Sequence, residues 1–149
     1  MKYLLLFLSS GIFAATTGSL TLRGIIPQVT SITVTSESIA TSLPLDVTQI
    51  NTKVATINER SNSNTGYSVS ITSLNLGTLK RISGTESVAY SLTYNGSSVN
   101  LSSGQTFSFP SAGVVNTNKD LNVSYTAIDF STTKSGTYED TLTVSISSI

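Results

Sequence analysis

The sequence predicts an all-β protein, an antiparallel β-sandwich of seven to nine strands. Polar and apolar residues alternate along many short segments, which is the pattern of a strand with one buried face. These segments recur roughly every 10 to 15 residues with Gly, Asn or Ser between them, a spacing that is typical of sandwiches and barrels. No segment keeps the helical period of about 3.6 residues over several turns.

The first residues are typical of a secretory signal peptide. Lys2 supplies a positive charge, residues 3–13 (YLLLFLSSGIF) form an apolar stretch too short to span a bilayer, and two alanines follow as a cleavage region. We predict a signal peptide over residues 1–14 and a single β-sandwich domain over residues 15–149. The protein is therefore expected to be secreted, with no membrane insertion after the signal is removed. A buried N-terminal helix is the alternative interpretation of this segment.

The composition argues against catalysis and against nucleic-acid binding. The chain has 8 basic and 8 acidic residues, no net charge and no basic stripe, so nucleic acid is not an expected partner. It contains no histidine and no cysteine, which removes the commonest general base, the commonest metal ligands and any disulfide. We predict that the protein is not an enzyme, binds no cofactor and is held together by its core or by a partner.

The carboxylates do not form a recognisable catalytic or metal-binding motif. Asp120 and Asp129 lie far from Glu139 and Asp140 without the regular spacing of a calcium loop, so no metal site is predicted. Glu139 and Asp140 are neighbours, and neighbours in a strand point to opposite faces, which does not suit a glycosidase. Asp140 is expected to accept hydrogen bonds from local backbone amides.

The first half of the mature chain holds several predicted strand segments. In the first of them Leu20, Leu22 and Ile26 share one register, and Pro27 ends the run because proline cannot donate to a central ladder. Pro44 likewise restricts the third segment to a sheet edge. The segments cover residues 19–26, 31–35, 43–47, 53–59 and 67–72.

The second half contains the clearest local motif, a hairpin over residues 90–101. Two alternating runs flank Asn95-Gly96, the pair that most readily adopts the positive φ angles of a tight turn. Residues 106–109 and 120–125 are further strand segments before the closing strand.

Four tyrosines occupy the apolar register of their strands. This placement favours packing in the core over an exposed platform on which a sugar could stack. The four are Tyr67, Tyr90, Tyr94 and Tyr125.

The chain ends on a corner followed by a long alternating strand. Leu142, Val144 and Ile146 share one face of this strand, which is expected to lie in the core. Tyr138 enters the strand two residues after Gly136 and resembles the tyrosine corner of Ig-like sandwiches, whose hydroxyl bonds to the upstream backbone. The predicted sandwich is therefore Ig-like.

Both ends of the mature chain carry motifs that are similar to those of a known family. The ending, residues 136–144 (GTYEDTLTV), is similar to a GTYxDTLTV close, and residues 20–27 (LTLRGIIP) followed by Ile32-Thr33-Val34 look like a mature N-terminus. On these residues the chain resembles bacterial fimbrial subunits of the chaperone–usher type that are related to spore coat protein U.

The resemblance implies export to the periplasm or the cell surface, capture by a periplasmic chaperone, and polymerisation by donor-strand exchange. In such subunits the Ig-like fold lacks one strand, and the N-terminal extension of a neighbouring copy fills the groove. Carried over to this chain, Leu20, Leu22 and Ile26 would be the inserted side chains and Gly24 a point of close approach. The alternative is that residues 20–26 form the first strand of their own domain.

Two hypotheses from different functional classes follow. The first is a secreted structural subunit that polymerises with copies of itself into a fimbria or coat. The second is a self-complete monomeric Ig-like domain for adhesion or binding, which contacts a glycan or a protein receptor. They differ in whether the closing strand pairs with residues 20–26 of its own chain or of the next.

Overall fold

The computed structural model describes residues 16–110 and 113–149. The predicted signal peptide, residues 1–14, lies outside the described residues. The described chain forms almost only antiparallel strands, which confirms the all-β sandwich class. No helix within it has the length and apolar character needed to cross a membrane. The elements are β1 (Thr30–Ser36), a 3-10 turn (Ser38–Thr41), β2 (Gln49–Ser61), β3 (Gly66–Ser73), β4 (Thr78–Arg81), β5 (Ser87–Ala89), β6 (Ser91–Tyr94), β7 (Ser97–Val99), β8 (Gln105–Pro110), β9 (Val115–Tyr125), β10 (Tyr138–Glu139) and β11 (Leu142–Ser148).

The described residues contain 11 strands, more than the seven to nine expected. The difference comes from very short strands, since β5 and β7 have 3 residues each and β10 has 2. Strands of this length hold too few alternating positions to be recognised from the sequence. Residues 43–47, which were expected to form an edge piece, form no strand, and Leu43 and Leu45 instead pack against the core.

The strands form two layers with β1 and β11 at their edges. One layer is a five-stranded sheet with the order β1-β2-β9-β6-β7. The other consists of two three-stranded pieces, β11-β3-β8 and β10-β4-β5. These pieces follow one another, because β4 comes after β3 in the chain and pairs with β10, which comes just before β11.

The core lies between the two layers and contains the inward faces of both. Ile57 in β2 and Val69 in β3 are fully buried although they come from different layers. The apolar register predicted for residues 67–72 is confirmed by the burial of Tyr67, Val69 and Ile71. Two more of the four tyrosines, Tyr94 and Tyr125, are buried, whereas Tyr90 is only half-buried.

A buried ion pair joins β2 to β9. Glu59 is fully buried, and its Oε2 accepts a hydrogen bond from Tyr67 Oη at 2.7 Å and lies 2.8 Å from Lys119 Nζ. The same Lys119 Nζ lies 3.5 Å from the centre of the Phe109 ring. These contacts offset part of the free energy that is lost when the carboxylate and the ammonium leave water.

The predicted hairpin at Asn95-Gly96 is confirmed. Tyr94 in β6 lies opposite Ser97 in β7, so Asn95 and Gly96 alone form the loop. Both have positive φ, 48° and 81°, as a type I′ turn requires.

Candidate functional site

The edge strands β1 and β11 lie beside each other without forming a ladder. In the described residues β1 pairs with β2 only and β11 with β3 only. Seven-stranded Ig domains have one sheet in the order A-B-E-D and another in the order C-F-G. Here β1-β2-β9-β6 occupy positions A-B-E-D, and β3 and β11 occupy C and F. No described strand occupies position G beside β11.

An open groove of about 600 Å³ lies between β1 and β11. Its sides include Val34 of β1 and Leu142 and Val144 of β11. Beneath them lie buried residues of the five-stranded sheet, among them Val54, Leu92 and Val123. The groove thus combines an apolar lining with the free backbone edge of β11, and an added strand needs both.

The segment before β1 divides into an arm, residues 16–26, and a connector, residues 27–29. The arm forms no strand, and Leu20, Leu22 and Ile26 are 85%, 87% and 88% exposed. The strand expected over residues 19–26 is therefore not formed within the described chain. A strand forms only when its backbone groups pair with a neighbour, and the arm has no neighbouring strand here.

Gly24 lies within the exposed arm. Apart from Gly24 and its two chain neighbours, no atom of the described chain lies within 4 Å of the position that a Cβ at Gly24 would occupy. A close approach at this residue would therefore have to come from outside the described chain.

The corner before β11 is built around the backbone of residues 134–136. Tyr138 Oη donates a hydrogen bond to the Lys134 carbonyl oxygen at 2.6 Å, and Arg81 Nε donates one to the Ser135 carbonyl oxygen at 2.9 Å. Gly136 has a φ of 151°, and a Cβ there would meet Arg81 Nε at 2.7 Å. Glycine is required at this position because a larger residue would strain the backbone and displace Arg81.

Asp140 lies at the polar end of the groove. Its Oδ1 accepts hydrogen bonds from the backbone N–H groups of Asn75 and Thr141, at 2.9 and 2.7 Å. Its Oδ2 accepts hydrogen bonds from Ser73 Oγ and Tyr90 Oη, each at 2.6 Å. Burial raises the pKa of Tyr90, and its bond to the Asp140 carboxylate raises the pKa further. Asp140 thereby joins the β10–β11 junction to the turn after β3.

The apolar face of the closing strand is only half-buried. Leu142, Val144 and Ile146 all pack against the core cluster, yet none of them reaches the burial of Val69 or Ile71 in the neighbouring strand. Leu142 and Val144 line the groove, so the unfilled position beside β11 leaves them accessible.

The sequence does not mark several of the groove residues as lining a groove. Val34 and Leu79 line the groove but look like ordinary core positions of short strands, and Tyr90 was expected in the core. Their role depends on which strands lie at sheet edges, which no local pattern reports. The sequence signal that separates the arm from the domain is Pro27, which ends the run of residues 20–26 before β1 begins.

Comparison of the sequence with models of known protein families and with curated proteins found no match. The resemblance to fimbrial subunits therefore rests on the motifs at the two ends of the mature chain.

Proposed function

We propose that this protein is a secreted structural subunit that forms a surface polymer by β-strand addition, the arm of one copy filling the groove of the next. The observation that carries the proposal is the presence in one chain of an exposed apolar arm and an open apolar groove. Residues 20–26 of the arm also have the same number of residues as β11, which is 7. We propose no catalytic activity for it.

The side chains of the arm suit a strand at position G. If Leu20, Leu22 and Ile26 face the groove, Arg23 faces the opposite way and its charge stays in water. Gly24 also falls on the groove face, where the absence of a side chain allows a close approach. Backbone hydrogen bonds to β11 would supply affinity, and the alternating side chains would fix the register.

The same features imply a partner before assembly. An apolar groove beside a free strand edge promotes aggregation when it is exposed. We therefore propose that a periplasmic chaperone covers the groove until another copy replaces it, and that the polymer is located on the cell surface.

Gel analysis of the purified mature protein, residues 15–149, tests the proposal. On denaturing gels without boiling we expect a ladder of multimers that collapses to a monomer on heating. Leu22→Asp should remove the ladder, because insertion would bury a carboxylate at a cost of several kcal/mol.

Val114→Asp is the matched control, since Val114 is 88% exposed against 87% for Leu22 but lies outside the arm. This variant should keep the ladder. A wild-type protein that stays monomeric at every concentration would contradict the polymer and support the self-complete adhesion domain.

A further inference from the structure

Asn62 holds the connector through three hydrogen bonds. Its Oδ1 accepts from the Val29 N–H at 2.6 Å, and its Nδ2 donates to the Pro27 carbonyl oxygen at 3.1 Å. Its own N–H donates to the Val29 carbonyl oxygen at 3.1 Å. These bonds continue the β1–β2 ladder beyond its last pair, Thr30 and Ser61.

The connector is also held from the other layer. Gln28 Nε2 donates a hydrogen bond to Ser148 Oγ at 2.6 Å, and Thr30 Oγ1 lies 3.0 Å from the same oxygen. Ser148 is the last residue of β11, so these contacts join the start of β1 to the end of β11, beyond the part of the two strands that lines the groove. Residues 27–29 are therefore hydrogen-bonded to both sheets and continue the line of β1.

A connector that was not held in this way would let the arm turn back. A connection of three residues is long enough for a hairpin. If the connector were free, the arm could reverse and lie along the free edge of β1 in the groove of its own chain. A tethered segment competes at an effective concentration on the order of millimolar, so self-insertion would suppress assembly between copies.

We infer that Asn62 is a specificity-determining residue that directs the arm into the groove of a second copy of this chain. The inference rests on the proposed function. An asparagine fits the role because its side chain offers both an acceptor for Val29 and a donor for Pro27. Proline has no N–H, so only its carbonyl oxygen can be held.

The test uses the mature chain and a fluorescent peptide of residues 18–26. First, Leu20→Asp/Leu22→Asp gives an arm that cannot insert, so that the groove stays free; this is the arm-blunted variant. This variant should bind the peptide whether position 62 is Asn or Ala. Binding shows that the β-sandwich domain that carries Asn62→Ala is folded. Peptide binding to neither variant would overturn the proposed function and this inference with it.

Next, Asn62→Ala is made with an intact arm. We expect monomers by light scattering, loss of the gel ladder, and peptide binding reduced about tenfold or more, because the arm occupies its own groove. Asn58→Ala is the matched control, since Asn58 is also a half-buried amide near the end of β2 but bonds to Asn116 and Asn118. It should assemble like the wild type.

Assembly of Asn62→Ala at the wild-type rate, with peptide binding intact in its arm-blunted form, would overturn the inference while leaving the proposed function standing. If Asn62→Ala does not fold, Asn62→Asp decides. The aspartate keeps the acceptor for Val29 and loses the donor for Pro27, so it should assemble more slowly than the wild type, and wild-type assembly would again overturn the inference.

Discussion

Glu59 shows how strongly one residue depends on its immediate partners. It is fully buried, and Lys119 Nζ and Tyr67 Oη both contact its Oε2. Removing one partner of a buried ion pair leaves a charge without compensation, whereas removing both charges together is often nearly neutral. The loss of one partner therefore destabilises the protein by more than the intact pair stabilises it.

Lys119→Met should destabilise the protein by about 3–5 kcal/mol, because Glu59 would remain buried without its cation. The double variant Glu59→Leu/Lys119→Met should recover most of this loss. Lys53→Met serves as a control, because Lys53 is 41% exposed beside Asp120 and such pairs contribute about 1 kcal/mol or less. Urea unfolding of the arm-blunted monomer measures all three, and a double variant no more stable than Lys119→Met would contradict the explanation.

Two phenols that are hydrogen-bonded to carboxylates should make stability depend on alkaline pH. Burial raises the pKa of Tyr67 and of Tyr90 above the ordinary value of about 10, and the carboxylates of Glu59 and Asp140 raise both pKa values further. Above about pH 10 the unfolded chain therefore loses protons that the folded chain keeps, so the free energy of unfolding falls as pH rises. Their contribution is fully present below about pH 10.

Unfolding free energies measured from pH 8 to beyond pH 10 test this dependence, and the slope should become shallower in Tyr67→Phe/Tyr90→Phe. An unchanged slope in that variant would show that other groups cause the loss. Tyr138→Phe is a suitable control, since the Tyr138 hydroxyl is bonded to a backbone carbonyl and not to a carboxylate.

At the scale of elements, the closing strand depends on the corner that precedes it. Tyr138 donates to the Lys134 carbonyl oxygen, and Asp140 accepts four hydrogen bonds before β11 begins. These contacts set the direction in which the chain enters β11, and β11 in turn forms one side of the groove. A substitution that weakens the corner should therefore also weaken binding in the groove.

Tyr138→Phe removes one hydrogen bond and should cost about 0.5–1.5 kcal/mol of stability. The same variant should weaken binding of the arm peptide, because the entry of β11 is less well fixed. Thermal unfolding and peptide titration of the arm-blunted chain measure the two effects. Unchanged stability would mean that the bond contributes nothing in solution.

At the scale of the whole molecule, features that depend on neighbouring residues could be predicted from the sequence, and features that depend on distant residues could not. The Asn95-Gly96 hairpin and the buried face of residues 67–72 could be predicted, because a turn pair and strand alternation are local. The groove could not, because it depends on which strands lie at the edges of two sheets. The hydrogen bond between Tyr90 and Asp140 joins residues 50 positions apart in the sequence, and no local pattern indicates it.

The unfilled position beside β11 gives the proposed polymer a polarity. Each contact joins an arm to a groove, which are different surfaces of the same chain, so in a polymer the contact is heterologous and every copy points in the same direction. One end of such a filament presents a vacant groove and the other a free arm. The terminal copy with the vacant groove lacks the strand that completes its neighbours. It is thus the least stable subunit of the filament, and disassembly would begin there.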